Sequence, residues 1–326
     1  MRRLELLIPG LRAAAQQAPP IPALGRLLAR AEYHPALGHD SAFLLARYFG
    51  LESETYPSVA ALSGLADDLK VAEGWWLRAD PVHLQADLHE VLLSDQPLEA
   101  LTLEAAQTLV ASLNAHFQEL GWCFNAPHPE RWYLQLGEAP GIVTRPLVEA
   151  RGQEIRPLLP EGADARLWRA RLTEIQMLLF EHPLNREREV RGLAPVNSVW
   201  FWGEGRLPDK ISAPAAVLHG GGALLRGLAR LAGCELHPVP ASAAAYLAMD
   251  HPVGLVLLDH LEYSPDRGRQ LETLERDWFV PLLAGLRRGC LRELRLYPGD
   301  GYCYCLTFTR AWRFWRRVLP GERQRP

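Results

Sequence analysis

Lysine is almost missing from this chain of 326 residues, where only Lys70 and Lys210 contribute to the 35 basic side chains. The positive charge is therefore nearly all guanidinium, fixed at physiological pH and shaped for bidentate contact with oxyanions. A basic excess is missing too: 38 acidic residues bring the formal net charge to -3, which argues against a general nucleic-acid binder. The longest apolar stretches, such as Gly254–Leu258 and Met177–Phe180, fall far short of the roughly 20 residues that cross a bilayer. The opening MRRLELLIPGL carries two arginines, but its apolar run is too short for a signal peptide and no small-residue cleavage site follows. Five cysteines, Cys123, Cys234, Cys290, Cys303 and Cys305, form neither a Cys-x-x-Cys pair nor a zinc pattern with histidine. That set reads as buried thiols in a reduced, cytoplasmic protein.

What is present is ample apolar content, 48%, enough for a large core in about two domains of ~150 residues. Leu4–Ile8 is a short apolar run that meets a loop at Pro9-Gly10, the pattern of a buried parallel strand. Helical spacing follows through Leu24, Leu27 and Leu28, and again through Phe43–Phe49. In the second half, Ser198–Trp202, Ala215–Leu218, Glu235–Val239 and Gly254–Leu258 read as buried strands. Leu224–Leu231, Ala241–Ala248 and Leu271–Leu286 read as the helices between them, a β-α-β rhythm that implies a mostly parallel sheet. The middle differs. Trp75–Ala79 and Asp87–Leu93 look like strands, Leu103–Leu120 and Ala165–Glu181 like amphipathic helices, and Trp122–Asn125 with Trp132–Leu136 like a hairpin. The simplest architecture is an α/β core in two pieces, 1–72 and 191–326, with an α+β domain inserted at 73–190. Near the end, Leu294–Tyr297 and Tyr302–Thr309 flank the turn Pro298-Gly299-Asp300-Gly301. A final helix, Arg310–Val318, carries Trp312 and Trp315 inward and its arginines outward.

Few stretches suggest chemistry on spacing alone. His219-Gly220-Gly221-Gly222 has the form of an esterase oxyanion loop, but the Gly-x-Ser-x-Gly nucleophile motif is absent, so the run reads as a strand entering a helix N-terminus. Walker and dinucleotide fingerprints are absent as well. His34 with His39-Asp40-Ser41, and Asp259-His260 with Asp266, offer metal-ligand residue types after strands, where α/β sites gather. Asp40-Ser41 also has the form of a helix N-cap. Cys303 and Cys305 alternate on a strand and share one face, which favours a packing role over redox chemistry.

A longer passage carries more. His182-Pro183-Leu184-Asn185-Arg186-Glu187-Arg188, followed by Gly192 and Asn197, resembles the H-P-V-N-x-x-R…G-x-x-x-x-N stretch of cofactor-independent phosphoglycerate mutases of the archaeal type. It runs on into Asn197–Pro208, similar to the N-x-x-W-x-W-G-x-G-x-x-P of bacterial relatives, with Gly203, Gly205 and Arg206 inside it. Trp76–Asp80, including Arg78, looks like the strand that opens that family's inserted domain. The resemblance implies an alkaline-phosphatase-like fold: a parallel sheet sandwiched by helices, with a smaller α+β insert. It also implies two divalent metals and a phosphoryl-carrying serine. Trp75–Leu84, Glu174–Leu179 and Trp312–Arg317 further resemble the proteobacterial regulatory branch of the Rpf type, which implies a regulatory role.

The sequence departs from the family where metal chemistry would sit. Pro9 stands where the first strand should end in an aspartate ligand. The family's G-S-D-[TV]-A aligns with Gly38-His39-Asp40-Ser41-Ala42, placing His39 at the nucleophile position. A late Asp-His pair is replaced by Tyr297-Pro298-Gly299-Asp300-Gly301. Two adjacent cations need several anionic or imidazole ligands, so the sequence reads as a binding or regulatory protein without metals or other cofactor, its His39, Asp40 and Ser41 vestigial. Arg78, Asp80, His182, Asn185, Arg188, Asn197, Gly203, Gly205, Arg206, Asp259 and His260 are the candidate ligand-binding residues, with an anionic small molecule or a protein as partner. Two alternatives stay open. One is an active phosphoryl-transfer enzyme with Mn or Zn, using His39 or Ser41 as nucleophile and Asp40, Asp259 and His260 as ligands. The other is an interaction module built on the C-terminal helix.

Overall fold

A computed structural model describes residues 2–17, 21–35, 40–51, 57–87, 90–212, 217–249, 251–259, 261, 266–313 and 316. The chain divides into two compact units, one of residues 1–52 and 210–326 and the other of residues 53–209. Its strands in chain order are β1 (Arg3–Leu7), β2 (Glu32–Pro35), β3 (Trp75–Val82), β4 (Leu84–Ala86), β5 (Val91–Leu93), β6 (Cys123–His128), β7 (Arg131–Leu136), β8 (Ser198–Gly205), β9 (Val217–His219), β10 (Leu236–His237), β11 (Val253–Leu257), β12 (Glu293–Tyr297) and β13 (Tyr302–Thr307).

In the first unit seven strands form one sheet in the order β10-β9-β11-β1-β12-β13-β2. The first five run parallel, and β13 is antiparallel to both its neighbours. This is the mostly parallel α/β core implied by the alternation of strands and helices. Strand period 2 sorts β1 sharply. Leu4, Leu6 and Ile8 join Val256, Leu294, Leu296, Tyr304 and Leu306 in one continuous core. Helices Leu11–Gln17, Pro22–Arg30 and Ala243–Ala248 cover that face, together with a long helical run over Arg267–Arg288. The run contains a π-helical turn at Glu275–Phe279. Glu275 accepts hydrogen bonds from the N–H groups of Ala23 and Leu24 at 2.6 and 3.2 Å, capping a neighbouring helix whose own N-cap, Ile21, has no side chain able to do so.

The other face of the same strands presents Arg3, Glu5 and Leu7, then Glu293, Arg295 and Tyr297, then Cys303, Cys305 and Thr307. Helices Ser41–Tyr48 and Ala223–Ala232, which touch one another, belong to this unit as well; Leu225 of the second lies close to Leu257 beside Gly220.

The second unit holds the antiparallel sheet β6-β7-β3-β8 and the small hairpin β4-β5. Helices Leu103–Phe117 and Ala165–Glu181 pack on one face of the four-stranded sheet through Leu109, Leu113, Phe117, Trp168 and Ile175. Helix Val59–Ala66 lies on the other, beside Trp76 and Tyr133. The reading of Ser198–Trp202 as a strand of the parallel core is corrected here: β8 pairs with β3 from Ser198 to Gly205. Its apolar content is that of a strand buried on both faces, which either sheet could accommodate. The compact units accordingly divide at 52/53 and 209/210 rather than at 72/73 and 190/191.

The C-terminal segment also differs. Among the described residues it forms only a short 3-10 turn, Arg310–Trp312, and Trp312 is 54% exposed rather than inward, with the Arg287 guanidinium 5.9 Å from its ring. Trp315 lies outside the described residues.

Candidate functional site

Ligands of open α/β sheets gather at the carboxyl ends of the strands. Here that edge brings together the loops after β9, β11, β1 and β12, because the four strands are adjacent and parallel. After β9 come Gly220, Gly221 and Gly222, the last being the N-cap of helix Ala223–Ala232. A side chain at Gly222 would stand 3.1 Å from Asp259 Oδ2, so the Asp259 carboxylate after β11 lies against the start of that helix. After β1 come Pro9 and Gly10, and Gly10 adopts φ +76° to turn the chain into helix Leu11–Gln17. The loop after β12 holds Asp300. Its Oδ1 accepts from the Tyr302 N–H at 3.1 Å and its Oδ2 from the Tyr304 hydroxyl at 2.8 Å, with Arg12 Nε at 4.0 Å. Burial and the Asp300 carboxylate both raise the pKa of Tyr304, keeping its hydroxyl a donor.

Asp40 accepts from the Phe43 N–H at 2.8 Å as N-cap of helix Ser41–Tyr48, and Ser41 is the first residue of that helix. His39 and His260 lie outside the described residues. His219, at the end of β9, has Nδ1 3.0 Å from the Pro238 carbonyl, and burial lowers its pKa.

The candidates of the second unit form two groups. On β3, Arg78 donates to Asp80 Oδ1 from Nη2 at 2.6 Å and from Nε at 3.1 Å. Asp80 also accepts from the Trp132 N–H and from Trp202 Nε1, at 3.2 and 2.7 Å. The guanidinium sits near the rings of Tyr133 and Trp202, 5.2 and 5.1 Å from their centroids. Next to them Arg131 Nη2 and the Tyr133 hydroxyl donate to Asp67 at 2.8 and 2.6 Å. Spacing missed the Asp67–Arg131 pair, since these residues are brought together only by β7.

The second group surrounds a helix that the sequence reading did not assign, Pro183–Val190, with Pro183 at its first position and His182 as N-cap. Asn185 donates from Nδ2 to the carbonyls of Leu179 and Val196 at 2.7 and 2.8 Å, and accepts from the Val196 N–H at 2.8 Å. Arg188 donates to the carbonyls of Ala194 and Glu99, both at 2.9 Å. Asn197 holds Leu84 by both its N–H and its carbonyl, at 2.7 and 2.8 Å. Gly203 at φ +65° passes helix Val59–Ala66 so closely that a Cβ would lie 3.0 Å from Val59 Cβ. At Gly205 it would lie 2.4 Å from Ser58 Cβ. Arg206 is exposed. The H-P-L-N-x-x-R and W-x-W-G-x-G passages thus supply backbone fastening within the second unit.

The chain is 33% identical over 172 residues to the 2,3-bisphosphoglycerate-independent phosphoglycerate mutase of Methanothrix thermoacetophila, covering 45% of this chain and 43% of that protein. It is 26% identical over 202 residues to the enzyme of the same description from Methanosarcina mazei, covering 59% and 51%. The matches therefore span about half the length of these curated relatives. No family model matches the chain. Among solved structures, the PH0037 protein of Pyrococcus horikoshii superposes with a TM-score of 0.51 at 14% identity, covering 94% of this chain and 87% of that one. The cofactor-independent phosphoglycerate mutase of Thermoplasma acidophilum gives 0.44 at 18% identity, covering 94% and 90%. The chain is similar to cofactor-independent phosphoglycerate mutases. Its fold is a mixed α/β arrangement with a mostly parallel sheet and helices, as the resemblance implies, and it is shared with the PH0037 protein.

The relatives also correct one expectation. The sequence reads as that of a protein with no metal and no other cofactor, whereas members of the family these relatives represent usually bind metal. Among the described residues no three His, Cys, Asp or Glu side chains gather closely enough to hold an ion. Two of the ligand types at issue, His39 and His260, fall outside those residues. No helix of the described residues is long and apolar enough to cross a membrane.

Proposed function

We propose that this chain is a phosphoglycerate mutase-like protein that binds a small phosphorylated or carboxylated molecule at the carboxyl edge of its seven-stranded sheet, that it has lost mutase turnover, and that it acts as a binding or regulatory protein in the cytoplasm. The observation that carries the reading is the end of β1. This strand lies in the middle of the sheet, between β11 and β12, and the first side chain beyond Ile8 is Pro9. A proline side chain can neither ligate nor donate, and the resemblance puts an aspartate there. Asp300, in the neighbouring loop, is already engaged by Tyr302 and Tyr304.

The second reading, an active phosphoryl-transfer enzyme with Mn or Zn, draws on the mutases matched above and on Asp259 lying against the start of helix Ala223–Ala232. One experiment separates the two. Protein purified without chelator is incubated with 3-phosphoglycerate, with and without added Mn2+, while binding of the same compound is followed by calorimetry. Binding without isomerisation supports the proposal. Metal-dependent isomerisation that disappears in the triple variant His39→Ala, Ser41→Ala, Asp259→Ala overturns it.

A further inference from the structure

The face of the first sheet opposite its leucine core departs from the pattern a buried sheet should show. A cavity of about 540 Å³ opens there against helix Ser41–Tyr48, lined by Leu7, Pro35, Leu44, Arg47, Tyr48 and the thiols of β13 among others. Its volume lies in the range of small-molecule sites, ~300–1,000 Å³, and its walls are mainly apolar.

Two polar atoms in those walls have no partner. Arg47 Nε and the Tyr48 hydroxyl are both buried and make no hydrogen bond among the described residues. The other guanidinium groups that line the cavity are engaged. Arg295 donates to Glu293 at 2.8 Å and lies 3.6 Å from Glu5, and Arg310 is paired with Glu32. Arg47 has no carboxylate partner among the described residues. A buried guanidinium Nε and a buried hydroxyl without partners each carry a desolvation cost that a ligand could offset. Burial raises the Tyr48 pKa, so this hydroxyl stays protonated as a donor. The thiol side is ordered too, with Cys303 and Cys305 Sγ 3.6 Å apart.

We propose that this cavity, which lies along the face of the sheet and reaches its carboxyl edge at Leu7, Pro35 and Tyr297, binds a small amphiphilic anion, its acidic head meeting Arg47 and Tyr48 and its apolar body lying over Leu7, Leu44 and Pro35. A carboxylate and a phosphate monoester share the chemistry the site requires, namely an oxyanion that accepts from a guanidinium and a phenol. Unlike the site of the proposed function, this one requires an apolar tail.

The test uses the full chain and isothermal titration calorimetry with sodium decanoate, decyl phosphate, decanol and inorganic phosphate. One of the two amphiphilic anions binds with one site per chain, and the tighter of them identifies the head group. Decanol binds at least about tenfold more weakly, the effect of losing one charge-assisted hydrogen bond. Inorganic phosphate leaves this site empty. Arg47→Met and Leu44→Trp each weaken the amphiphile by about tenfold or more, whereas Arg166→Met, on an exposed position of the other unit, has no effect. As a readout on the unaltered protein, the bound amphiphile slows iodoacetamide alkylation of Cys305, located by peptide mass spectrometry, while exposed Cys123 reacts as before. Binding of neither amphiphile, equal binding of decanol, or affinity unchanged in both cavity variants overturns the proposal. If those variants do not fold, unprotected Cys305 in the unaltered protein overturns it.

Discussion

The Tyr297 hydroxyl donates to Glu5 Oε2 at 3.0 Å, joining β12 to β1 beneath a sheet face where Glu5 is only 1% exposed. Burial raises the Glu5 pKa above its ordinary 4.5, outweighing the opposing pull of Arg295, the Tyr297 bond and Arg3. The folded state therefore holds this proton more tightly than the unfolded chain does. The resulting stability is full below pH 4.5 and is lost as pH rises through the folded value. Glu5→Gln is expected to flatten that part of the profile, measured as urea midpoints across a pH series.

His219 contributes with the opposite sign. Burial lowers its pKa from 6.5, with His237 and His251 adding in the same direction. Its contribution is present above pH 6.5 and is lost as pH falls through the folded value. His219→Asn is expected to remove this loss while leaving the Glu5 effect in place, so the two variants separate in one set of titrations.

The Arg78–Asp80 pair is buried and densely bonded. Removing one partner strands the other as an uncompensated charge, which costs about 3–5 kcal/mol at such sites. Asp80→Ala is expected to destabilise the second unit by that order, read by guanidinium denaturation followed through tryptophan fluorescence, since Trp132 and Trp202 both donate to Asp80.

Asn185 ties helix Pro183–Val190 to Val196 through two bonds and to Leu179 through a third. Asn185→Ala leaves buried backbone groups of Leu179 and Val196 without partners, a loss of about 1–3 kcal/mol. Asn185→Asp keeps the acceptor but not the two donations, so it is expected to rescue little, as thermal melting would show.

At Gly203 the backbone is left-handed and a Cβ would crowd Val59. Gly203→Ala is expected to lower stability by about 1–2 kcal/mol, with melting temperature as the readout. Gly121, also left-handed but open on all sides, separates the conformational part of that cost from the crowding in a parallel Gly121→Ala variant.

Much of the architecture was legible because periodicity reports burial. Leu4–Ile8, Gly254–Leu258 and the hairpin around Pro298–Gly301 fall within a residue or two of the observed strands. Sheet membership was not legible. Ser198–Trp202 alternates Trp200 and Trp202 against Val199 and Phe201, and nothing local tells a central antiparallel strand from a parallel one. Helix Val59–Ala66 was missed because a run of Val, Ala, Leu, Ser and Gly has no polar side to mark a period; residues 59–64 are all buried. For the sites, Asp40 was legible as an N-cap, since capping is a three-residue affair. The Arg78–Asp80 cluster depends on Trp132 and Trp202, which lie on other strands. The cavity beside Arg47 and Tyr48 depends on β12 and β13, far along the chain.

β1 lies between β11 and β12, whose residues 253–257 and 293–297 are its partners. During synthesis the first strand therefore leaves the ribosome long before either neighbour exists. The second unit, residues 53–209, takes all four strands of its sheet from one continuous stretch and can close while β1 waits. Until the last hairpin arrives, β1 offers two unpaired edges and a leucine-rich face, the kind of segment that recruits foreign strands. For this protein, the order of synthesis leaves β1 without its partners for longer than any strand of the second unit's four-stranded sheet.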